Sequence, residues 1–498
     1  MPVPGFGARL ALAGAAMLAG LAIAAATALD DGSDPLAPLV RHVGANPDGK
    51  AAASVDMKAL EGDRSGLPVG VFDSGVGGLT VMEAILSLDA HDNLTLQPGA
   101  DGVPDFAGEK FIYLGDQANM PYGNYPSSGR AAFLRELIVK NAVFLLGRRY
   151  SAEGATRYDK PPVKAIVIAC NTATAYGIDD IRSALGQWKL DIPVVGVVEA
   201  GARAVKEART GTSADGAVAV MATVGTVASE AYPRAIGRVL GLAGRTVPEI
   251  VQHGSVGLAG ALEGNRAFVG QPPAGGGSNP GYLGPAVGNG KAPIDPSLLE
   301  VYGFDPAGLL GRAGEPATWQ LNSAPNYVRY DVAMLAENYR RSGGTAPIST
   351  VVLGCTHYPM ARGEIADAFQ RLRGIRLPCG EAPYRALIAP RIEYVDPADF
   401  TARELFRELA RKKIRADRHS TAEPILEQTF VSVPNPARTG SKRDHSGAFD
   451  ADYKYGRSPG RPETEDTVCV PLGEARDARQ SMDGLSRALP RVSSALGL

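Results

Sequence analysis

Short continuous runs of apolar residues alternate along this chain with helical patterns. The runs lie at residues 69–72, 111–114, 163–169, 194–197, 217–222, 350–353 and 392–395, and most are followed by a Gly, Asn, Asp or Thr turn. Strands that are buried on both faces of a parallel sheet have this continuous apolar character, and their alternation with helices indicates an α/β fold. The sequence therefore predicts parallel α/β sheets, in which ligands bind at the carboxyl ends of the strands.

The composition excludes several classes of protein. Hydrophobic residues make up 45% of the 498 residues and charged residues 21%, so the chain can bury a sizeable core and is not disordered as a whole. The formal net charge of −2 is far from the basic balance of a nucleic-acid binder, and we expect no nucleic-acid partner. Four cysteines are too few for a disulfide framework in a chain of this length.

The N-terminal segment resembles a targeting signal. Residues 10–29 are almost entirely apolar, Arg9 precedes them, and a small-x-small site lies at residues 26–28. We interpret residues 1–29 as a signal peptide or membrane anchor, with an Ala-rich buried helix or a wrongly assigned start codon as the alternative. Residues 30–66 are interpreted as a linker. This predicts a protein that is exported, periplasmic or anchored to the inner membrane, or cytoplasmic if the start site is wrong.

Three segments interrupt the α/β pattern. Residues 89–109 are polar with Pro and Gly, and residues 269–296 contain 8 Gly and 6 Pro. The tail at 437–498 is polar and charged, and we expect it to be irregular apart from a short helix near 480–488. Such breaker-rich segments are typical of loops and insertions.

The first candidate site follows the apolar run at 69–72. Asp73 comes next, and Gly75, Gly77 and Gly78 follow within five residues. Backbone N–H groups of such a turn hold an anion well. A dinucleotide fingerprint is excluded because Thr80 stands where its last glycine would be. We favour a carboxylate cradle with a reactive Asp73 over a plain tight turn.

Two cysteines occupy equivalent places in the pattern. Cys170 and Cys355 each follow an apolar strand and precede a helix, and His357 lies two residues after the second cysteine. A lone buried cysteine is usually inert, but two in the same context suggest two related halves that face each other. The Cys-x-His spacing is not that of a structural zinc site, and we expect no metal. Cys379 and Cys469 lack this context and are interpreted as structural or incidental.

Two opposed thiols suit the inversion of a carbon acid without a cofactor. One sulfur removes the Cα proton from one face while the other delivers a proton to the opposite face. Asp73 could serve Cys170, and His357 could serve Cys355. The developing charge would be stabilised by donors next to the two cysteines, which are Asn171, Thr172 and Thr356.

Four motifs together resemble those of glutamate racemase, in the aspartate/glutamate racemase superfamily. They are FDSGVGGL at 72–79, PYG at 121–123, CNTA at 170–173 and GCTHYP at 354–359. Their order and context agree with the family, and the resemblance extends over residues 68–434. Any one motif alone would be weak.

The resemblance implies a fold, an activity and an assembly. Two pseudo-symmetric α/β domains with parallel sheets would hold the active site in the cleft between them. The first domain would comprise residues 67–195, completed by about 381–436. The second would comprise 196–380, with an insertion at about 265–325. Glutamate would be racemised without a cofactor, and a homodimer is expected.

The resemblance also assigns roles to individual residues. Cys170 would act on the D-substrate and Cys355 on the L-substrate, with Asp73 and His357 as their helpers. Glu263 would be the second helper carboxylate beside Cys355, although Gly254 and Ser255 stand here where the family usually has Cys-Pro. The positions that match substrate contacts are Ser74, Tyr122, Gly123, Asn171, Thr172 and Thr356.

The sequence leaves other functions open. The substrate could be aspartate, and the chain could be another isomerase of the superfamily, such as a maleate isomerase or hydantoin racemase. A binding protein that keeps the cleft without turnover is a third alternative. The family role implies peptidoglycan biosynthesis, hence cell wall biogenesis and cell shape, but that cytosolic role would not need export.

Overall fold

A computed structural model describes most of the chain. The described residues are 34–209, 215–270, 278–279, 281–312, 314–444, 446–475 and 489–497. The predicted signal or anchor at 1–29 and the short helix expected near 480–488 lie outside them. Among the helices of these described ranges, none is both long enough and apolar enough to cross a membrane.

The first sheet has six strands. They are β1 (Val69–Asp73), β2 (Lys110–Gly115), β5 (Ala165–Ile168), β6 (Val194–Gly196), β13 (Ile425–Pro434) and β14 (Thr467–Pro471). Their order is β14-β13-β2-β1-β5-β6, and neighbours are parallel except β13 and β14, which are antiparallel. Val69 pairs with both Phe111 and Ala165, so the carboxyl ends of the three central strands are aligned.

The second sheet has four parallel strands. They are β7 (Ala217–Thr223), β8 (Ile250–Ser255), β11 (Ile348–Gly354) and β12 (Ile388–Val395), and their order is β12-β11-β7-β8. All seven residues of β11 are buried, as are the first six of β7, in agreement with their continuous apolar sequences. The predicted α/β class with two parallel sheets is confirmed.

Helices cover both sheets and contribute their apolar faces to the cores. Their bounds are Ala37–Ala45, Leu79–Ser87, Asn124–Ser127, Ala131–Leu146, Asn171–Gln187, Val197–Ala208, Val224–Ala228, Ala231–Leu242, Leu258–Leu262, Leu299–Tyr302, Ala324–Arg341, Arg362–Gly374, Pro397–Lys412, Ala451–Gly456 and Pro490–Leu496. The helix Pro397–Lys412 packs against both Leu79–Ser87 and Val197–Ala208 and so links the two halves. Its start is fixed by Asp396, whose side chain accepts a hydrogen bond from the N–H of Ala398.

The segment 381–436, expected to complete the first domain, is divided between the two sheets. β12 pairs with β11 in the second sheet, whereas β13 pairs with β2 in the first. The helix Arg362–Gly374 between β11 and β12 makes a parallel crossover, which places β12 beside the strand that precedes it. The chain returns to the first sheet only after the helix Pro397–Lys412.

The tail also differs from the expectation of an irregular segment. β14 pairs antiparallel with β13 and extends the first sheet, because the outer edge of β13 offers unpaired backbone groups. The helix Ala451–Gly456 precedes it. The tail therefore contains ordered structure that its polar composition did not predict.

The insertion at 265–325 is packed rather than loose in the part that is described. Ala292 and Ile294 are buried in the core of the second half, together with Tyr302. The amide of Asn289 donates to the carbonyl of Gly284, which closes a turn. Two short strands, β9 (Leu309–Leu310) and β10 (Gln320–Leu321), pair with each other in the same segment. Another small pair, β3 (Tyr150–Ala152) and β4 (Ala155–Arg157), forms a hairpin in the first half.

Candidate active site

The turn after β1 buries a carboxylate. The Oδ2 of Asp73 accepts hydrogen bonds from the N–H groups of Gly78 at 2.8 Å and Gly75 at 3.3 Å, and its Oδ1 is buried with no hydrogen-bond partner. Burial raises the pKa of Asp73, and the nearby charge of His357 offsets this only in part. The backbone of the glycine turn thus binds one oxygen of the Asp73 carboxylate, and the other oxygen has no hydrogen-bond partner.

The glycines also let the two halves approach each other. A Cβ at Gly77 would clash with the imidazole ring of His357, which belongs to the second half. Thr80, at the start of the next helix, donates its hydroxyl to the carbonyl of Thr356 at 3.1 Å. The turn after β1 is therefore in direct contact with the loop after β11.

Cys170 lies just past the carboxyl end of β5. It caps the helix Asn171–Gln187, and its Sγ accepts a hydrogen bond from the N–H of Ala173 at 3.4 Å. Its thiol also reaches the Oγ of Ser74 at 3.7 Å. Burial and the charge of Asp73 raise the pKa of Cys170, and these exceed the lowering by Ala173 and Ser74. The helix terminus favours the thiolate, but burial dominates and keeps Cys170 protonated.

Cys355 has a different environment. Its Sγ lies 3.6 Å from the Nδ1 of His357, and the Nε2 of that histidine lies 2.6 Å from the Oε1 of Glu263. Burial lowers the pKa of His357, but the Glu263 carboxylate and Cys355 outweigh it and hold the pKa well above its usual value. The second thiol therefore stands beside an imidazolium, which stabilises negative charge on sulfur.

Several of the remaining predicted residues make contacts other than with the two thiols. The Oδ1 of Asn171 accepts from the hydroxyl of Tyr232 at 2.6 Å. The hydroxyl of Tyr122 donates to Asp116, so it is engaged within its own half. Gly123 lies against the second half, where a Cβ would approach Thr223 to 3.2 Å. Their substrate contacts stay predictions.

A three-threonine cluster joins the halves next to the site. The hydroxyl oxygens of Thr172 and Thr223 are 2.9 Å apart, and each lies 3.0 Å from the hydroxyl of Thr226. Thr172 belongs to the first half and the other two to the second. The position of Thr223 at the end of an apolar run could have indicated it, whereas Thr226 carried no signal.

A buried aspartate helps to fix the short helix that ends at Glu263. The carboxylate of Asp331 accepts from the hydroxyl of Ser255 at 2.5 Å and lies 2.9 Å from the Nε2 of His253. The Oγ of Ser255 in turn accepts from the N–H of Leu258, at the start of the helix that Glu263 terminates. The sequence does not predict Asp331, because nothing in it links this residue to residues more than 70 positions earlier.

A small cavity lies beside Cys355, and Cys170 does not line it. This cavity of about 10 Å³ is lined by Cys355, Thr356 and Asn171, among others. That volume holds about one water molecule. A larger cavity of about 770 Å³, lined by Glu199 and Arg203, includes none of the predicted site residues. In the described ranges, no group of three or more His, Cys, Asp or Glu side chains is placed to hold a metal ion.

Fold and site together define a class: an α/β protein with two parallel sheets and a buried thiol at the carboxyl end of a strand in each. Comparison with known proteins agrees with this class. Residues 147–271 match the family model described as Asp/Glu/Hydantoin racemase. The resemblance to glutamate racemase that the four motifs predicted is thereby confirmed, since the curated relatives carry that name.

Two of these relatives illustrate the extent of the match. The chain is 34% identical over 202 residues to a glutamate racemase of Limosilactobacillus fermentum, covering 39% of this chain and 59% of the relative. It is 37% identical over 167 residues to a glutamate racemase of Thermus thermophilus, and this match covers 34% of this chain and 47% of the relative. The chain thus spans about half the length of the curated relatives it matches.

Solved structures of glutamate racemases are also similar. An isoform from Bacillus anthracis is 22% identical with a TM-score of 0.43, covering 73% of this chain and 88% of that chain. The protein from Francisella tularensis, solved in complex with D-glutamate, is 20% identical with a TM-score of 0.40. The match covers 79% of this chain and 95% of that chain.

Proposed function

We propose that this protein racemises L-glutamate and D-glutamate without a cofactor, by moving protons at Cα between Cys170 and Cys355. The observation that carries the proposal is the pair of buried thiols at equivalent strand ends of the two sheets, each with its own charged neighbour. The name of the curated relatives and their identity of 34–37% favour glutamate as the substrate.

The unequal surroundings of the thiols suggest their starting protonation states. Cys170 has a raised pKa and begins as a thiol. Cys355 lies beside the His357 imidazolium, which would stabilise negative charge on its sulfur. This arrangement suits L-glutamate: the Cys355 sulfur takes the Cα proton, and Cys170 gives its proton to the opposite face, which yields D-glutamate. The sulfurs exchange roles in the reverse direction.

Substrate binding requires movement of the two halves. The turn at Gly77 lies directly against the imidazole ring of His357, so we expect this contact to open for glutamate to enter between the two thiols. Once closed, the site excludes water and strengthens the hydrogen bonds to the developing negative charge. We assign these hydrogen bonds to Ser74, Asn171, Thr172 and Thr356, together with the backbone of Tyr122 and Gly123.

The cellular setting is part of the same proposal. D-glutamate made here would enter peptidoglycan biosynthesis, and the chain would act as a homodimer. A signal peptide or anchor at residues 1–29 would instead place it outside the cytoplasm, away from that cytosolic role. Cell fractionation with N-terminal sequencing tests the location, and size-exclusion chromatography with light scattering tests the assembly.

The deciding experiment follows Cα exchange in D2O by NMR together with optical rotation. Wild type should racemise glutamate from either enantiomer. Cys170→Ala should abolish racemisation yet still exchange the Cα proton of L-glutamate, because Cys355 remains. Cys355→Ala should exchange only D-glutamate. Cys379→Ala is the matched control, since that free cysteine is exposed, and it should behave as wild type.

Three outcomes would contradict the proposal. Equal residual racemisation in both single variants would exclude two separate bases. A rate that depends on added metal or pyridoxal phosphate would exclude a reaction carried by the thiols alone. Faster turnover of aspartate than of glutamate would reassign the substrate.

A further inference from the structure

We propose that residues 450–457 of the tail form a tether that holds the loop 116–125 in place, so that Tyr122 and Gly123 are positioned to receive the substrate. The proposal rests on the proposed function above. It concerns a part of the chain beyond residue 434, where the family resemblance ends. In it, Arg457 is a positioning residue that acts through the loop and not on glutamate itself.

Arg457 is the anchor of the tether. Its residue is 9% exposed. Its guanidinium lies 4.9 Å from the ring centre of Phe133, 4.7 Å from that of Phe449 and 5.7 Å from that of Tyr453. An arginine is rarely buried without a strong reason, and stacking on aromatic rings compensates part of its lost hydration.

The Nη2 hydrogen bonds of this guanidinium go to the loop, whereas its Nε donates to the carbonyl of Lys454 within the tail at 3.3 Å. One Nη2 donates to the Oδ1 of Asn119 at 2.6 Å and to the hydroxyl of Tyr125 at 3.3 Å. Its nearest carboxylate oxygen, on Asp466, is 3.8 Å away. The shorter contacts are thus made to neutral groups at both ends of the loop, a geometry that fixes the path of the backbone between them.

Two further residues of the segment bind the same loop. Lys454 donates its ammonium to the carbonyl of Met120 at 2.8 Å. The hydroxyl of Tyr455 accepts from the side chain of Asn124 at 3.2 Å, and its carbonyl accepts from Arg130 at 3.0 Å. The tail therefore contacts the loop on either side of Tyr122 and Gly123.

The opposite side of the loop meets the second half of the molecule. A Cβ at Gly225 would approach the backbone of Gly123 to 2.9 Å, so these two glycines lie in close contact. The loop is consequently held between the tail and the element that must move when the site opens. Without the tail, the loop would keep only its bonds within the first half, such as that of Tyr122 to Asp116, and Gly123 would be held less firmly beside the cleft.

The test combines hydrogen–deuterium exchange with kinetics on the full chain. Arg457→Met removes the anchor, and Lys454→Met is a milder second variant. Arg443→Met is the matched control, because Arg443 is an exposed tail arginine whose Nη2 donates to Asn435 rather than to the loop. The readouts are backbone exchange at 116–125 and at the distant helix Ala231–Leu242, and KM and kcat for glutamate.

We expect exchange at 116–125 to rise about tenfold in Arg457→Met and less in Lys454→Met, with the distant helix unchanged. KM for glutamate should rise about tenfold while kcat stays within about threefold, since the loop acts in binding. Arg443→Met should match wild type in both readouts.

A local tether and a general stabilising role of Arg457 predict different results. An equal rise in exchange at the loop and at the distant helix would mean that Arg457 only stabilises the fold as a whole, and it would overturn the proposal. A loosened loop with unchanged KM would overturn it too. If wild type does not racemise glutamate, the proposed function fails and the positioning role fails with it. Exchange at 116–125 then shows separately whether the tail holds the loop.

Discussion

The imidazole of His357 and the carboxylate of Glu263 lie 2.6 Å apart, although 94 residues separate them in the chain. Both side chains are 5% exposed, so the pair is screened from water. Together with Cys355 they form a line of carboxylate, imidazole and thiol. The carboxylate holds the proton on the imidazole, and an imidazolium at this position would stabilise negative charge on sulfur.

Glu263→Gln should remove the negative charge beside His357 while an amide of nearly the same shape stays in its place. The Glu263 carboxylate raises the pKa of His357, so its loss lowers that pKa and the imidazolium disappears at a lower pH. We expect kcat/KM to fall about 10–100-fold, equally from L- and D-glutamate because the two are equally stable. The alkaline limb of the pH profile should move to lower pH.

The measurement is a pH profile of kcat/KM for wild type and Glu263→Gln. Glu300→Gln, an exposed glutamate in the same half, serves as the control and should reproduce the wild-type profile. An alkaline limb that stays in place, or moves upwards, would mean that Glu263 does not set the charge of His357.

The sequence predicts some residues of the site and misses others, for a physical reason. Asp73, Cys170 and Cys355 could be predicted because each follows an apolar run, and the ends of parallel strands gather at one edge of a sheet. Glu263 is predicted only by the family resemblance, because it lies at the end of the short helix Leu258–Leu262 with no local pattern. Its partner Asp331, which supports it through Ser255, had no signal at all.

The fold shows the same division. The apolar runs predicted seven of the ten strands in the two sheets, since burial on both faces leaves a local trace in the sequence, but they missed β8, β13 and β14. β14 lacks that trace, because an edge strand is half exposed and its pairing with β13 depends on residues more than 30 positions away. The buried Arg457 likewise appears in the sequence as one more charge in a polar tail.

Asp73→Asn should make the Cys170 thiol more reactive while it slows racemisation. Asparagine can still accept the hydrogen bond from Gly78, but the charge that raises the pKa of Cys170 is gone. Because the pKa of Asp73 is itself raised, wild type and variant should alkylate alike at low pH. They should diverge as the pH rises through that pKa, with the variant faster.

Mass spectrometry of iodoacetamide labelling checks this, with exposed Cys379 as an internal standard in each sample. Racemisation should fall about 100-fold if Asp73 helps Cys170 to transfer its proton. Slower alkylation of Cys170 in Asp73→Asn at high pH would contradict the repulsion between Asp73 and the thiolate.

The three-threonine cluster should couple the stability of the two halves. Thr172→Val and Thr226→Val keep side-chain shape but remove hydroxyls that bond across the boundary. We expect each to cost about 1–3 kcal/mol, with a coupling between them of about 0.5–3 kcal/mol in a double-mutant cycle.

Urea unfolding of the four proteins in the cycle gives these values. A parallel cycle of Thr226→Val with Thr401→Val is the control, because the hydroxyl of Thr401 bonds within its own helix, to Pro397. Strict additivity of Thr172→Val and Thr226→Val would show that the cluster does not join the halves.

The buried ion pair of Lys164 and Glu109 should be costly to break from one side. Its Nζ–Oε2 distance is 2.6 Å, with side chains 0% and 3% exposed. Lys164→Met leaves the buried Glu109 carboxylate without the cation that contacts it and should cost about 3–5 kcal/mol. Adding Glu109→Met should restore part of this stability in urea unfolding, since no unpaired charge is then left.

The control is Lys110→Met, because Lys110 pairs with Glu427 at the surface and its loss should cost at most about 1 kcal/mol. Purely additive losses in the double variant would mean that the Glu109 carboxylate does not depend on Lys164.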